Sequence, residues 1–524
     1  MERIRIEIYD TTLRDGAQQP GISFSLHDKL AIMERLDRIG VDYIELGWPG
    51  SNEKDDLVFK EANNISLQNA KIVAFGMTCA KGKKPEEDKS LKSLLDAKTE
   101  LVTIVGKASR YQVENILGVT ASENLRMIEQ SCRFLIIQGC QVFFDAEHFF
   151  DGYSQDRDYA LKCLEAAVTG GASRVILCDT NGGSLSWAIG SVVARVVENR
   201  RDVLIGIHAH NDGEMAVANS LAAVENGAYQ VQGTINGYGE RCGNANLCSV
   251  VPALRVKMGL DCFPDEGMAQ LTEVARFTAE VANLPHNPLQ PYVGKNAFMH
   301  KGGLHANAVL KDRNSYNHID PEKVGNASSV VVSELSGKSN VMMKAKEFGV
   351  TLTQRQAKKV LAQVEALENH GFQLEGADAS LKLIMLRTKR GYNSPFEVFY
   401  RSVGSEKFGK KSSSDSAIVK LRINNGKNDI VHHVADGNGP INALDKALRK
   451  ALVPHFPNLE KTQLVDYKVR VLPGKKGTAK VVRVLIDFFD GQEEWTTVGC
   501  STDLIEASTQ ALSDGLEYAI LKAH

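Results

Sequence analysis

The sequence predicts an α/β protein with an N-terminal (β/α)₈ TIM barrel, helical linker subdomains and a C-terminal α/β domain that contains an internal pseudo-twofold repeat. Three observations carry this prediction. Strand-like and helical segments alternate over residues 1–270, the alternation stops after Pro285, and two similar β-rich segments each lead into a helix within residues 412–524. With 524 residues the chain is too long for one ordinary core. We therefore expect a barrel in residues 1–270, linker subdomains in residues 271–405 and a separate domain in residues 412–524.

Eight runs rich in β-branched residues are typical of strands. They are Ile4–Asp10, Tyr43–Pro49, Lys71–Thr78, Leu101–Lys107, Gln141–Glu147, Arg174–Thr180, Val203–Asp212 and Val231–Asn236. The amphipathic stretches between them predict helices, among them Leu26–Ile39, Ser122–Gln138, Arg157–Thr169 and Ser184–Glu198, with helix ends at Gly40, Gly139, Gly170 and Gly227. This order implies right-handed βαβ units and a parallel sheet. Eight units in about 250 residues favour a closed barrel over an open doubly wound sheet, because no glycine fingerprint follows the first strand.

The rest of the chain has a different pattern. Residues 286–345 show no strand–helix period, residues 353–370 are typical of a helix, and the Ser- and Lys-rich stretch Ser405–Ser416 predicts a linker. Beyond it, strand-like runs precede glycine turns at Gly437 and Gly499, and each turn leads into a helix. The repeat indicates shared architecture. It leaves open whether this domain regulates or dimerises the protein, or only packs against the rest of it.

The composition excludes several function classes. Lys and Arg number 62 against 64 Asp and Glu, which gives a net charge of −2. A chain this close to neutral lacks the basic surface that grips phosphate backbones, so we expect no nucleic-acid partner. No apolar run reaches the roughly 18 residues of a membrane-spanning helix, and Met1–Tyr9 alternates like a strand rather than forming a signal peptide. Nine cysteines without a C-x-x-C pair fit free thiols. We expect a cytoplasmic protein that does not enter a membrane.

Candidate metal ligands lie at two of the predicted strand ends, where a barrel of this type builds its active site. Asp15 follows the first strand, and His208-Ala-His210 lies at the end of the seventh. Residues two apart in a strand face the same side, so both imidazoles can reach one ion with Asp15 as the anionic ligand. This set suits Zn²⁺, Mn²⁺ or Fe²⁺ acting as a Lewis acid. An isolated H-x-H is more often a hydrogen-bonded pair, but the adjoining Asn211-Asp212 and the acidic first strand end favour a metal.

Arg14 and Glu147 are further candidates. A guanidinium on a barrel rim that faces a metal stabilises negative charge developing on oxygen, although neighbouring Arg and Asp residues usually form only a salt bridge. Glu147 follows an aromatic strand. Burial among these aromatic rings would raise its pKa toward that of a useful base, whereas a solvated Glu147 would have no such role.

Three motifs resemble the signatures of the α-isopropylmalate synthase/homocitrate synthase family. They are Asp10-Thr-Thr-Leu-Arg-Asp-Gly-Ala-Gln18, His208-Ala-His-Asn-Asp212 and Gly239-Glu-Arg-Cys-Gly-Asn244. Asn287–Ala308 is similar to the family segment that carries a catalytic histidine, and the C-terminal repeat resembles the family's allosteric domain. The likeness extends over nearly the whole chain. It implies a metal-dependent enzyme that joins acetyl-CoA to an α-keto acid.

The resemblance also implies roles for individual residues. It assigns the metal, expected to be Mn²⁺, Zn²⁺ or Mg²⁺, to Asp15, His208, His210 and Asn244. It assigns polarisation of the keto carbonyl to Arg14, the keto acid carboxylate to Thr180, and proton transfer to Glu147 and His305, with Tyr316 at the place of a family tyrosine. The family's usual H-x-D ending is His305-Ala-Asn307 here, so the role of an acidic partner is not carried over.

Tyr43–Asp55 and Phe143–Gly152 are similar to the branch of the family that uses pyruvate in isoleucine synthesis. This implies that pyruvate and acetyl-CoA are the substrates, that isoleucine is an effector at the C-terminal domain and that the protein is a homodimer. Trp48 either narrows the keto acid pocket or packs under a loop. A larger keto acid, 2-oxoisovalerate or 2-oxoglutarate, is the alternative. An acyl-CoA lyase is disfavoured by the long C-terminal module, and a metal-storing or scaffold protein is the weakest interpretation.

Overall fold

The computed structural model describes residues 5–408, 412–424, 429–472 and 480–522. The described residues form two compact units. The first comprises the chain up to Phe298 together with His318–Ala327, and the second comprises Met299–Asn317 and the chain from Ser328 onward. None of the helices in these ranges is long and apolar enough to cross a membrane.

Eight parallel strands of the first unit close into a barrel in chain order, which confirms the predicted fold. They are β1 Glu7–Asp10, β2 Tyr43–Gly47, β3 Lys71–Met77, β4 Leu101–Lys107, β5 Gln141–Glu147, β6 Arg174–Asp179, β7 Leu204–Ala209 and β8 Gln230–Gly233. Strands β7 and β8 end earlier than predicted, because His210 leaves the sheet to pair with Asn244 and a helical turn follows at Ile235–Gly237. Ile4, part of the predicted first strand, lies outside the described residues.

Helices cover the outside of the barrel. They are α1 Leu26–Ile39, α2 Glu53–Ala62, α3 Lys89–Asp96, α4 Ala121–Ile137, α5 Phe149–Gln155, α6 Arg157–Thr169, α7 Ser186–Asn199 and α8 Ala216–Glu225. Left-handed φ angles of 92°, 93° and 101° confirm helix ends at Gly40, Gly139 and Gly227. The helix end predicted at Gly170 is also confirmed, since α6 ends at Thr169 and Gly170 is its C-terminal cap residue. Gly170 keeps a helical φ of −72°, and the left-handed turn falls on Gly171, whose φ is 101°.

Side chains fill the barrel interior. One apolar layer contains Tyr9, Tyr43, Val73, Leu101, Phe143, Ile176 and Cys178. At the N-terminal end, Arg174 forms an ion pair with Glu7 at 2.8 Å, and the Gln230 side chain donates to the same carboxylate. Because the interior is packed, binding and chemistry are confined to the C-terminal rim.

Three short helices complete the first unit: α9 Leu247–Pro252, α10 Asp265–Met268 and α11 Leu271–Val281. The second unit starts with a two-stranded parallel sheet and four helices. These are β9 Met299–His300, α12 Gly303–Lys311, β10 Ser329–Val330, α13 Lys338–Glu347, α14 Gln354–Asn369 and α15 Asp378–Arg387. The helix predicted at residues 353–370 is α14, which begins at a capping box of Thr353 and Gln356.

The C-terminal region contains the predicted repeat. Each copy is a three-stranded antiparallel sheet followed by a helix. The first copy is β11 Phe396–Phe408, β12 Ser412–Ile423, β13 Asp429–Gly437 and α16 Pro440–Leu452; the second is β14 Gln463–Val471, β15 Val482–Phe489, β16 Glu494–Ser501 and α17 Leu504–Lys522. Gly437 and Gly499 occupy equivalent places, since a Cβ on either would collide with the backbone of the following helix.

The linker predicted at Ser405–Ser416 is wrong. Residues 405–408 and 412–416 belong to β11 and β12, which pair from Phe396↔Ile423 to Phe408↔Ser412, and residues 409–411 lie outside the described part of the chain. The polar composition was misleading because the backbone supplies the hydrogen bonds of a hairpin. Buried residues nearer its base, such as Val419 and Leu421, set the register, and the polar half continues the same ladder.

Candidate active site

Asp15, His208 and His210 meet at the C-terminal rim of the barrel. Asp15 lies in the loop after β1, His208 lies in β7 and His210 follows that strand directly. The Nε2 atoms of His208 and His210 are 3.3 and 3.6 Å from Asp15 Oδ2. All three residues are buried, and one ligand atom from each lies within 4.8 Å of the others. The strand geometry expected from the H-x-H spacing therefore brings both imidazoles to one carboxylate.

Asn244, the fourth predicted ligand, pairs through its backbone with His210. Its Nδ2 donates to the Tyr238 carbonyl oxygen at 3.2 Å. Within the described ranges Asn244 Oδ1 has no hydrogen-bond partner, although the atom is buried. A buried polar atom without a partner is costly unless a ligand satisfies it. A carboxylate, two imidazoles and a free amide oxygen are a donor set that fits a divalent metal.

The charges around Asp15 favour its ionised form. Burial alone would raise its pKa, but the Arg14 guanidinium and the hydrogen bonds from His208 and His210 outweigh burial and hold the pKa of Asp15 well below its ordinary value. Burial opposes the charged form of His208 as well, and its hydrogen bond to Asp15 raises its pKa in spite of that. Asp15 is therefore ionised at neutral pH, as a metal ligand would have to be.

Arg14 is held on three sides. Its Nε donates to Glu45 Oε1 at 2.5 Å, its Nη1 lies 3.6 Å from Asp15 Oδ1, and its guanidinium carbon lies 3.8 Å from the centre of the Phe75 ring. Burial disfavours its charge, but Glu45 and Asp15 raise its pKa above the ordinary value. The plane of the guanidinium is thus fixed beside the candidate ligand Asp15, so the side chain is more than the simple Arg–Asp salt bridge considered from the sequence.

Glu45 anchors this arrangement and was not identified from the sequence. It is fully buried in β2 and accepts hydrogen bonds from Tyr9 Oη at 2.5 Å and Thr11 Oγ1 at 2.6 Å in addition to Arg14. The available signal was a single charged residue inside the otherwise apolar run Tyr43-Ile-Glu-Leu-Gly47. A buried carboxylate with this many donors is typical of a functional site or its support.

Trp48 lies next to this group. Its indole contacts Phe75 edge to face with ring centres 5.4 Å apart, and its backbone N–H donates to Asp55 Oδ2 at 3.0 Å. Asp55 in turn forms a buried ion pair with Lys29 at 2.6 Å. The ring that Trp48 packs against is the ring that stacks on Arg14. Trp48 therefore contacts the ring that stacks on Arg14, next to the candidate metal ligand Asp15.

Glu147 ends β5 but does not lie in the apolar surroundings expected from the sequence. Its carboxylate is 26% exposed and forms an ion pair with Lys107 Nζ at 2.6 Å. Phe149 and Phe150 pack against each other in the core instead. Of the two alternatives left open by the sequence, burial among aromatic rings does not occur. Phe149 and Phe150 lie in α5, beyond the end of the strand, and Glu147 pairs with Lys107. Lys107, at the end of β4, was missed because nothing in the sequence singles it out.

Thr180 follows β6, and its hydroxyl is placed to donate a hydrogen bond. Its Oγ1 accepts a hydrogen bond from the backbone N–H of His148 at 2.8 Å, which leaves the hydroxyl hydrogen available for a ligand. Its carbonyl oxygen accepts from Arg241 Nη2 at 2.9 Å, and Arg241 also pairs with Asp212. Arg241 of the third motif thus links the loop after β6 to the loop after β7.

His305 and Tyr316 belong to the second unit. His305 lies in α12, and its ring stacks on Tyr316 with centres 4.2 Å apart. Both side chains are exposed, Tyr316 by 51%. Two exposed rings that stack on each other form a small rigid group that can meet a ligand. Their contribution to the barrel site stays a prediction.

Models of known families match three consecutive parts of the chain. The HMGL-like model matches residues 5–277, the homocitrate synthase post-HMGL domain-like model matches residues 292–371, and the LeuA allosteric (dimerisation) domain model matches residues 375–520. The first of these alone covers more than half of the chain.

Curated relatives match over nearly their full lengths. The (R)-citramalate synthase of Aquifex aeolicus is 48% identical over 99% of this chain and 98% of the relative, and that of Geobacter sulfurreducens is 45% identical with the same coverage. A probable 2-isopropylmalate synthase of Methanopyrus kandleri is 30% identical over 98% of both chains. With these matches, the chain belongs to the α-isopropylmalate synthase/homocitrate synthase family and, within it, to the branch of the (R)-citramalate synthases.

Proposed function

We propose that the protein condenses acetyl-CoA with pyruvate and water to give (R)-citramalate and CoA. The observation that carries this proposal is the buried Asp15–His208–His210 group beside a fixed Arg14 at the barrel rim. An α-keto acid offers a carboxylate and a carbonyl oxygen, and Arg14 together with a cation held by Asp15, His208 and His210 would attract both. The names of the full-length relatives support pyruvate as the keto acid.

Each residue has a task in this reaction. A divalent metal held by Asp15, His208, His210 and Asn244 would supply Lewis-acid polarisation of the keto carbonyl. The Thr180 hydroxyl donates to the pyruvate carboxylate. Arg14, fixed by Glu45 and Phe75, stabilises the negative charge that develops on the C2 oxygen during attack.

Glu147 or His305 removes a proton from the methyl group of acetyl-CoA. The resulting enolate forms the new carbon–carbon bond at C2 of pyruvate, and water then cleaves the thioester and releases CoA. Lys107 holds the Glu147 carboxylate, which fixes the position of this candidate base. Tyr316, stacked on His305, orients that imidazole.

The assay is CoA thiol release from acetyl-CoA with Mn²⁺ present, run with pyruvate, 2-oxobutyrate, 2-oxoisovalerate and 2-oxoglutarate. We expect the highest kcat/KM with pyruvate. A preference for 2-oxoisovalerate or 2-oxoglutarate would overturn the assignment of pyruvate and keep the condensing chemistry. Release of thiol with none of the four would contradict the condensing chemistry itself.

Regulation and assembly are part of the same proposal. The match of residues 375–520 to an allosteric (dimerisation) domain supports a homodimer and an amino acid effector, for which we propose isoleucine. Light scattering tests the dimer, and thiol release with and without isoleucine tests the effector. Unchanged activity at saturating isoleucine would refute this effector.

A further inference from the structure

A chain of hydrogen bonds crosses the barrel interior behind His208. The Nδ1 atom of His208 lies 2.8 Å from Gln232 Oε1, and Gln232 Nε2 donates to Asp145 Oδ1 at 3.1 Å. The three side chains come from β7, β8 and β5. They are 4%, 0% and 3% exposed, so water does not compete for these bonds.

The donors and acceptors in this series of hydrogen bonds determine which nitrogen of the His208 imidazole carries the hydrogen. The Gln232 carbonyl oxygen has only lone pairs, so the hydrogen between it and His208 sits on Nδ1. With the Nδ1 hydrogen held by Gln232, Nε2 is the nitrogen that gives up its hydrogen, now shared with Asp15 Oδ2 at 3.3 Å, and offers a lone pair when a metal binds. This is the tautomer that ligates a metal through Nε2.

Asp145 keeps Gln232 in this orientation. If the amide group rotated by half a turn, its NH₂ would face His208 and its oxygen would face the Asp145 carboxyl, at the loss of the bond to Asp145. In the observed orientation Asp145 Oδ1 accepts from Nε2. The register of the sheet supports the same contact, because His208 and Gln232 are directly paired residues of β7 and β8.

Of the two imidazoles, His208 has a hydrogen bond at Nδ1 that orients the ring. Within the described ranges His210 Nδ1 has no hydrogen-bond partner, so only His208 is oriented from behind. We propose that Gln232 and Asp145 are positioning residues, which hold His208 as its Nδ1–H tautomer and thereby set the metal affinity of the rim. This inference rests on the metal site of the proposed function and adds two residues that act through His208.

The first test is the dissociation constant of Mn²⁺ from the metal-free full chain, measured by calorimetry at pH 8. Loss of an outer hydrogen-bond partner typically weakens a metal site about 10- to 100-fold. We expect a weakening of this size for Gln232→Leu and a change in the same direction for Asp145→Leu. The matched control is Gln230→Leu, since Gln230 is equally buried two residues earlier in β8 but bonds Glu7. Its Mn²⁺ affinity should stay within about threefold of the wild type.

A double variant distinguishes loss of the hydrogen bonds from loss of the fold. In Gln232→Glu with Asp145→Asn the introduced carboxylate accepts from His208 Nδ1–H, and the introduced amide donates to that carboxylate, so both bonds and the total charge are kept. We expect Mn²⁺ affinity within about threefold of the wild type. Affinity of Gln232→Leu equal to the wild type, or a double variant as weak as Gln232→Leu, would overturn the proposal. If the wild type itself binds no Mn²⁺, the metal site fails and this inference fails with it.

Discussion

Arg14→Lys separates the catalytic role of this residue from its structural one. Arg14 donates to Glu45, lies beside Asp15 and stacks on Phe75. Lysine keeps the positive charge but has neither the planar fork nor the stacking surface. The matched control is Arg174→Lys, because Arg174 has the same kinds of partner at the opposite end of the barrel.

The two arginines are closely comparable. Arg174 bonds Glu7 through Nε at 3.0 Å and Nη2 at 2.8 Å, and its guanidinium carbon lies 5.6 Å from the centre of the Phe143 ring. The side chains of Arg14 and Arg174 are 12% and 17% exposed. A hydrogen bond to a charged partner is worth about 1.5–3 kcal/mol and a desolvated cation–π contact up to about 2 kcal/mol. Each substitution should therefore cost about 2–4 kcal/mol of folding stability.

Their effects on catalysis should differ. Removal of one donor that stabilises a developing oxyanion costs roughly 10²- to 10³-fold in kcat, or about 2.7–4 kcal/mol. We expect this loss for Arg14→Lys and less than about a threefold change for Arg174→Lys, with kcat measured by thiol release at saturating pyruvate. Thermal melting reports the stability of both variants. Equal kcat values for the two folded variants would refute the assignment of Arg14 to the reaction.

Three further predictions concern other residues. Trp48→Ala removes a contact of Phe75 and should raise kcat/KM for 2-oxobutyrate relative to pyruvate about tenfold, because one methylene group is worth about 1–3 kcal/mol of binding in a pocket. An equal loss of kcat/KM with both substrates would indicate that Trp48 has only a packing role. Lys29→Met leaves Asp55 as an unpaired buried charge and should destabilise the barrel by about 3–5 kcal/mol in thermal melting, whereas an unchanged midpoint would contradict this. His305→Ala should lower kcat about 10²- to 10⁴-fold, because a proton-transfer group contributes about that much to the rate. The melting temperature should not change, because the ring is exposed. A near-normal kcat would leave proton removal to Glu147.

Much of the barrel could be predicted because it depends on local patterns. Strand and helix periods identified its eight strands, and the rule that active sites lie at strand ends selected Asp15, His208 and His210. A local pattern misled where it is compatible with two structures. The polar stretch Ser405–Ser416 has the composition of a linker, but its described residues belong to the paired strands β11 and β12.

The supporting residues of the site could not be predicted in this way. Glu45, Lys107 and Gln232 matter because of partners on other strands, and the distances to those partners depend on the tilt and closure of the barrel. A single sequence contains no direct signal for such contacts. Glu147 shows the same limit, since its neighbours in sequence are aromatic and its neighbour in space is Lys107.

The charge balance differs between the two barrel ends and supports our proposal of a metal at the C-terminal end. At the N-terminal end Arg174 faces the single carboxylate Glu7, so that end is neutral without a ligand. At the C-terminal end Arg14 faces Glu45, Asp15 and Asp145.

These three buried acidic groups outnumber the single positive charge of the Arg14 guanidinium. The surplus is visible at Asp145, where burial and repulsion from Glu45 raise the pKa to about 7. Buried negative charge requires a counter-charge. Among the described residues Arg14 is the only Arg or Lys that forms an ion pair with Asp15, so a divalent cation bound there would supply the remaining positive charge. The same type of arginine–glutamate–aromatic group therefore occurs at both ends of the barrel, and the additional carboxyls at the C-terminal end favour the cation site that we propose there.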